Sequence, residues 1–134
     1  MHYTNSGNNA FDKTNSTGET LAGSIAGCDV GCYEAWQKCT GDPSVIVAVL
    51  DDGVMYTHPD LAGNIWVNDK EELYAGTDAD GNGYKDDRYG YNFVHNTAAI
   101  SWTDVSDIGH GTHVSGTIAA MNNGYGVCAC ERTA

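Results

Sequence analysis

The sequence is poor in basic residues, in proline and in long apolar runs. Six lysines and arginines stand against eighteen aspartates and glutamates, for a formal net charge of -12. So acidic a surface repels phosphate groups, which argues against nucleic acid or an anionic membrane as a partner. No stretch is long and apolar enough to span a bilayer, and residues 1–11 lack the hydrophobic segment of a signal peptide. Two prolines and seventeen glycines favour a loop-rich α/β chain over a helical bundle.

Cysteine is present, but in an odd number. Five cysteines leave at least one unpaired if all bonding is within the chain: Cys28, Cys32, Cys39, Cys128 and Cys130. Free or buried thiols and a disulfide among the first three both fit the sequence, whereas the spacings match no usual zinc site. The cysteines therefore do not define the redox compartment.

The length of 134 residues and the hydrophobic content of 41% suit one modest globular domain. Residues 1–23 are rich in Asn, Ser, Thr and Gly, which predicts a mobile polar leader ahead of a folded part at residues 24–134. A short amphipathic helix is predicted around Val30, Tyr33, Trp36 and Gln37, ended by a turn at residues 40–43.

Residues 44–50 form a continuous apolar run that ends in Asp51-Asp52-Gly53. Such a run, without polar alternation, predicts a central strand of a parallel sheet flanked by helices, hence an α/β fold. Functional sites of open α/β sheets lie at the carboxyl ends of strands, although Asp-Asp-Gly is also an ordinary turn. A second strand is predicted at residues 89–94, where aromatic residues alternate with small or polar ones.

An acidic stretch at residues 68–88 partly matches the pattern of a calcium loop. Oxygen-bearing residues alternate over nine positions, and Gly83 falls at the sixth, where the loop turns sharply. The twelfth position is Tyr89 instead of a bidentate glutamate, so Asp87, Asp69 or Glu72 would have to supply further oxygens. A solvated acidic turn without an ion is the alternative. The expected ligands are the side chains of Asp78, Asp80, Asn82 and Asp86 and the carbonyl of Tyr84.

A histidine-bearing stretch at residues 109–113 opens an apolar segment with helical spacing. Its flanking glycines permit a sharp entry, so a helix is predicted to begin near His110. An imidazole with a carboxylate on one nitrogen can accept a proton at the other, which makes His110 a candidate general base and Asp51 its orienting carboxylate. The alternatives are a structural histidine, or a metal held by His110 and His113, although the glutamate that follows the first histidine in zinc hydrolases is missing.

These two stretches carry a family resemblance. Residues 47–54, followed by His58-Pro59-Asp60-Leu61, resemble the aspartate motif of the subtilisin-like serine endopeptidases, the subtilases. Residues 110–117, HGTHVSGT, resemble the histidine motif of the same family, and the order Asp before His agrees with it. The resemblance implies a partial three-layer subtilisin-like fold, with Asp51 as the triad aspartate and His110, not His113, as the triad histidine. It also implies a protein or peptide substrate and an extracellular or cell-surface location.

The sequence departs from the family in three ways. Asp52 stands where the family usually has serine or threonine. The Gly-Thr-Ser-Met motif that carries the family's nucleophile does not occur in the 134 residues, nor does the family's oxyanion-hole asparagine. The similarity also stops abruptly after Cys128. We therefore expect the amino-terminal portion of a catalytic domain, without turnover until its missing carboxyl-terminal part is supplied. The alternative function is a calcium-binding or peptide-binding module that catalyses nothing.

Overall fold

The computed structural model describes residues 27, 30–100, 109–124 and 126. The chain forms two compact units, Met1–Thr40 and Gly41–Ala134. The predicted leader at residues 1–23 lies outside the described residues and stays a prediction. Cys28, Cys128 and Cys130 also lie outside them, whereas Cys32 is buried and Cys39 is exposed. Among the described residues, no helix has the length and apolar character needed to cross a membrane.

The first unit contains a short helix, α1, at Cys32–Trp36. The preceding residue, Gly31, has a φ of 63°, which glycine adopts readily and which turns the chain into the helix. After the helix, the amides of Lys38 and Cys39 both donate to the carbonyl of Ala35 and close its last turn. The predicted short helix in this region is confirmed.

The second unit contains the helix α2 at His110–Ala119. The residue before it, Gly109, has a φ of 72°, so the chain enters the helix through a sharp left-handed turn. The helix ends because Ala120 takes an extended conformation while its amide still donates to the carbonyl of Gly116. Its buried positions are Gly111, which has no side chain, and Ser115, whose side chain is small, so other segments can come close. The prediction of a helix beginning near His110 is confirmed.

The predicted parallel sheet is wrong for the part of the chain that the structure describes. Residues 45–50 form no strand, and Val45, Ile46, Val47 and Leu50 are 64%, 63%, 53% and 91% exposed. An apolar run favours burial, but it becomes a strand only when a neighbouring segment supplies the backbone hydrogen bonds. No described segment bonds to this run in that way, so the α/β layers expected around it are not formed.

The second predicted strand, at residues 89–94, is also wrong. The segment forms a loop closed by a single antiparallel bridge between Asn92 and Thr97. Inside this loop the Asn92 side chain accepts hydrogen bonds from the amides of Val94 and His95, at 3.1 and 3.0 Å. These local bonds occupy backbone amides that a ladder would otherwise use, which is how asparagine competes with strand formation.

Two consecutive helical turns at residues 58–65 support the end of α2. The amide of Ala62 donates to the carbonyl of His58, and the amide of Ile65 donates to that of Leu61. Leu61 is 2% exposed and is among the most buried side chains that the structure describes. Two bonds tie these turns to α2 or to the residues just after it. Met121 donates through its amide to the carbonyl of Asp60 at 2.7 Å, and the Asn64 side chain donates to the carbonyl of Ala119 at 2.9 Å.

Leu61→Ala is expected to lower the free energy of unfolding by about 2 kcal/mol or more, because it removes buried methyl groups and leaves a cavity. Leu50→Ala is the matched control, since Leu50 is 91% exposed and its truncation should change stability by less than about 0.5 kcal/mol. Urea unfolding of both variants measures the difference. Equal losses would contradict the exposed placement of residues 45–50.

Candidate functional site

The turn at residues 51–53 directly follows the exposed apolar run. The amide of Asp52 donates to Asp51 Oδ1 at 2.8 Å, which orients the Asp51 carboxylate. Gly53 has a φ of 142°, a conformation that side chains rarely adopt, so the chain can turn sharply after the two aspartates. The Asp51 side chain is 16% exposed, and it is held between this turn and the start of α2.

The first residue of α2, His110, meets this carboxylate. His110 Nδ1 lies 2.8 Å from both oxygens of Asp51, although the two residues are 59 positions apart in the sequence. The His110 side chain is 72% exposed, so the imidazole remains accessible from solvent. A carboxylate on Nδ1 favours the tautomer that carries its proton there, which leaves the lone pair on Nε2 free to accept another.

The contact shifts both pKa values. The pKa of Asp51 is lowered, first by the hydrogen bond from the Asp52 amide and then by the bond from His110. The pKa of His110 is raised, first by the hydrogen bond to Asp51 and then by the charge of Asp51, with the charge of Asp52 adding to the effect. The ion pair therefore stabilises the folded chain most between the ordinary pKa values, about 4 and about 6.5. This contribution is lost as the pH falls through the lowered pKa of Asp51 or rises through the raised pKa of His110.

Two further bonds join the first turn of α2 to the segment that carries Asp51. The amide of Gly111 donates to Asp52 Oδ1 at 2.9 Å, and the amide of Met55 donates to Thr112 Oγ1 at 2.9 Å. The approach is close at Gly111, because a methyl group there would collide with the carbonyl oxygen of Gly53 and reach 3.0 Å from Asp51 Cβ. Only glycine fits this position without movement of its neighbours.

Carboxylates that are predicted calcium ligands also bind backbone amides of the acidic loop, and their binding of calcium stays a prediction. The Asp78 carboxylate accepts bonds from the amides of Gly81, Asn82 and Gly83, at 2.8 to 3.0 Å, and Asp86 Oδ1 accepts one from the amide of Gly76. These two carboxylates therefore shape the backbone of the loop. Tyr84, whose carbonyl was the expected ligand, donates its amide to Asn82 Oδ1 at 2.8 Å.

The structure brings the predicted ligand Asp80 together with Glu71 and Asp87, and one carboxylate oxygen from each of the three lies within 4.8 Å of the others. Glu71 is fully buried, and its Oε1 accepts bonds from the amides of Ala79 and Asp80, at 2.6 and 3.0 Å. Sequence reasoning missed Glu71, because nothing in the spacing distinguishes it from the exposed Glu72 beside it.

Two asparagine side chains lie against this group of carboxylates. Asn68 Nδ2 donates to Asp80 Oδ2 at 2.9 Å and to Asp87 Oδ1 at 3.2 Å. Asn82 Nδ2 donates to Asp80 Oδ2 at 3.2 Å and to Asp87 Oδ2 at 2.9 Å. The bond from Asn68 is the largest cause of the lowered pKa of Asp80. Each amide also has an oxygen, so the residues around the three carboxylates include the donor types that calcium prefers.

Comparison with known proteins identifies the family to which the chain belongs. The subtilase (peptidase S8) family model matches residues 42–130, and the chain belongs to this family. It is 51% identical to subtilisin-like protease 1 of Plasmodium vivax over 88 residues, 63% of this chain and 13% of the relative. It is 34% identical to fervidolysin of Fervidobacterium pennivorans over 116 residues, 82% of this chain and 13% of the relative.

A third relative is the halolysin-like extracellular serine protease Nep of Natrialba magadii, 32% identical over 94 residues, 70% of this chain and 14% of the relative. The chain thus spans about one seventh of the length of these curated relatives. The family membership agrees with the resemblance that the aspartate and histidine motifs carry.

Gly111→Ala is expected to destabilise the second unit by about 1 to 3 kcal/mol, because the added methyl group pushes α2 away from the 51–53 turn. Gly116→Ala is the matched control on the same helix, since a methyl group there meets nothing within 4 Å. The control should gain up to about 1 kcal/mol from helix propensity. Thermal unfolding followed by circular dichroism compares the two, and a Gly111→Ala variant at least as stable as the control would contradict the close approach.

Proposed function

We propose that this chain carries two members of the catalytic triad of a serine endopeptidase, with His110 as the general base and Asp51 as the residue that orients it. The observation that supports the proposal is the 2.8 Å contact between His110 Nδ1 and the Asp51 carboxylate, at the start of a helix and beside a sharp turn. Family membership makes the same two residues the expected ones, because they stand in its aspartate and histidine motifs.

The proposed reaction is acyl transfer to a serine. The serine oxygen attacks the carbonyl carbon of the scissile peptide bond while His110 Nε2 takes the hydroxyl proton. His110 then gives that proton to the leaving amine as the peptide C–N bond breaks, and a water molecule hydrolyses the acyl-enzyme by the same steps in reverse. Asp51 remains ionised throughout and stabilises the imidazolium.

The nucleophile and the oxyanion donor belong to a part of the protein outside these motifs. No Gly-Thr-Ser-Met segment occurs in the 134 residues, so we propose that the chain represents the amino-terminal part of the catalytic domain and is inactive alone. Protein or peptide substrates follow from the proposed chemistry. An extracellular location is proposed from the relative named as an extracellular serine protease.

The first test reads the coding sequence beyond the codon for Ala134 in all three frames, where a Gly-Thr-Ser-Met segment is expected. The longer protein should then hydrolyse peptides, and His110→Ala should lower kcat by about 10⁶-fold, the size of loss known for subtilisin. His113→Ala is the matched control, because His113 is exposed on the same helix and should retain most of the activity. Equal losses from the two variants, or no serine motif in any frame, would refute the proposal.

We propose calcium as a structural ligand of the acidic loop, and a calcium-binding module without catalysis is the second candidate function. The observation in its favour is the group formed by the carboxylates of Glu71, Asp80 and Asp87, with one oxygen from each within 4.8 Å of the others. Three carboxylates this close repel one another, and a hard divalent cation relieves that repulsion with the oxygen ligands it prefers. The cation would support the loop without taking part in peptide hydrolysis.

Calcium is expected to raise the melting temperature of the chain, and a chelator to reverse the increase. Calcium at 100 times its dissociation constant would add about 2.7 kcal/mol to the free energy of unfolding. Asp87→Asn removes one carboxylate and should reduce this response, whereas Asp42→Asn, an exposed site outside the loop, should preserve it. If the melting temperature changes with neither calcium nor chelator, the proposal that the acidic loop binds calcium is contradicted.

A further inference from the structure

We infer that Asp52 is a positioning residue for His110, because its carboxylate holds the first turn of α2 against the 51–53 turn. The inference rests on the proposed catalytic role of His110, but it concerns a residue that stands outside the triad. Asp52 occupies the position where the family usually has serine or threonine, so its role does not follow from the family motif.

The first support is the geometry of two adjacent contacts. Asp51 contacts His110, and the next residue along the chain, Asp52, accepts a hydrogen bond at 2.9 Å from the next residue along the helix, Gly111. The two contacts therefore join the same two segments side by side. Because a methyl group on Gly111 would lie 3.2 Å from Asp52 Oδ1, the helix has little room to shift without changing both contacts.

The second support is the lack of a side-chain cap at the N-terminus of α2. The residue before α2, Gly109, has no side chain to accept a hydrogen bond from the first turn, and that turn contains no acidic residue. The first amides of a helix have no partner within the helix, and a negative charge near them is favourable. Asp52 supplies from a distant segment both the acceptor and the charge that the cap position lacks.

Asp52 acts on His110 in two separable ways. Its hydrogen bond to the Gly111 amide fixes the position of the helix, and its charge adds to the raised pKa of His110. Asp51 and Asp52 are the charged groups that act on the imidazole among the described residues. Asparagine at position 52 keeps an oxygen acceptor but loses the charge, whereas alanine loses both.

The test titrates the His110 imidazole by NMR in the chain itself, in the wild type and in three variants. Asp52→Ala is expected to lower the pKa of His110 clearly, because the ring no longer stays against Asp51. Asp52→Asn should lower it less, and Asp42→Asn, which removes an exposed charge from the same unit that does not act on His110, should leave it unchanged. Equal shifts from alanine and asparagine would show that Asp52 acts through its charge alone, and no shift from either would also overturn the inference.

If α2 unfolds in Asp52→Ala, hydrogen exchange of the Gly111 amide provides a second measurement. The Gly111 amide should then exchange slowly in both the wild type and Asp52→Asn, since each offers it an acceptor. A Gly111 amide that exchanges in the wild type as fast as an unbonded amide would overturn the inference.

The titration needs no serine and no substrate, so it separates this inference from the proposed function. In the longer protein, Asp52→Ala should lower kcat by up to about 100-fold with KM retained, as misplacement of a catalytic group does. A shifted titration in a protein without proteolysis would refute the proposed function and keep the positioning role. If the longer protein hydrolyses peptides but the pKa of His110 is the same in the Asp52 variants as in the wild type, the proposed function stands and the positioning role is refuted.

Discussion

The close approach of the first turn of α2 to the 51–53 turn is the constraint on which the candidate site depends. Glycine at position 111 allows the two backbones to meet, and the meeting puts the His110 ring against the Asp51 carboxylate. Helix and turn are each local structures, but neither orients a side chain for proton transfer without the other. The bond from Met55 to Thr112 ties the same turn of the helix a second time, so the approach does not rest on one contact.

The acidic loop follows a different principle, because its carboxylates are used mainly to hold backbone amides. Asp78 accepts three of these bonds and the buried Glu71 accepts others, so the loop keeps its shape despite a high density of negative charge. A net charge of -12 makes such internal acceptors and donors important, since repulsion between carboxylates is not offset by many lysines and arginines. The amides of Asn68 and Asn82 give further partial compensation at Asp80 and Asp87.

The contact between Asp51 and His110 forms, whereas the strand predicted for the apolar run at residues 45–50 does not, and the difference has a physical reason. The site needs a few short contacts between two segments, and both segments are among the described residues. A strand needs a partner along its whole length, and an exposed run such as residues 45–50 obtains none from the described part of the chain. The contrast shows that the contacts around Asp51 and His110 form although the described residues contain no sheet.

The sequence by itself determined the features that depend on neighbouring residues. It predicted both helices, because helical hydrogen bonds and glycine turns lie within a few positions of the chain, and it carries the motifs on which the subtilase resemblance rests. Tertiary structure alone decided that Asp52 bonds to Gly111, that Glu71 lies close to Asp80 and Asp87, and that residues 45–50 form no strand with another described segment. Each of these outcomes depends on which distant segment comes close, and spacing along the chain carries little information about that.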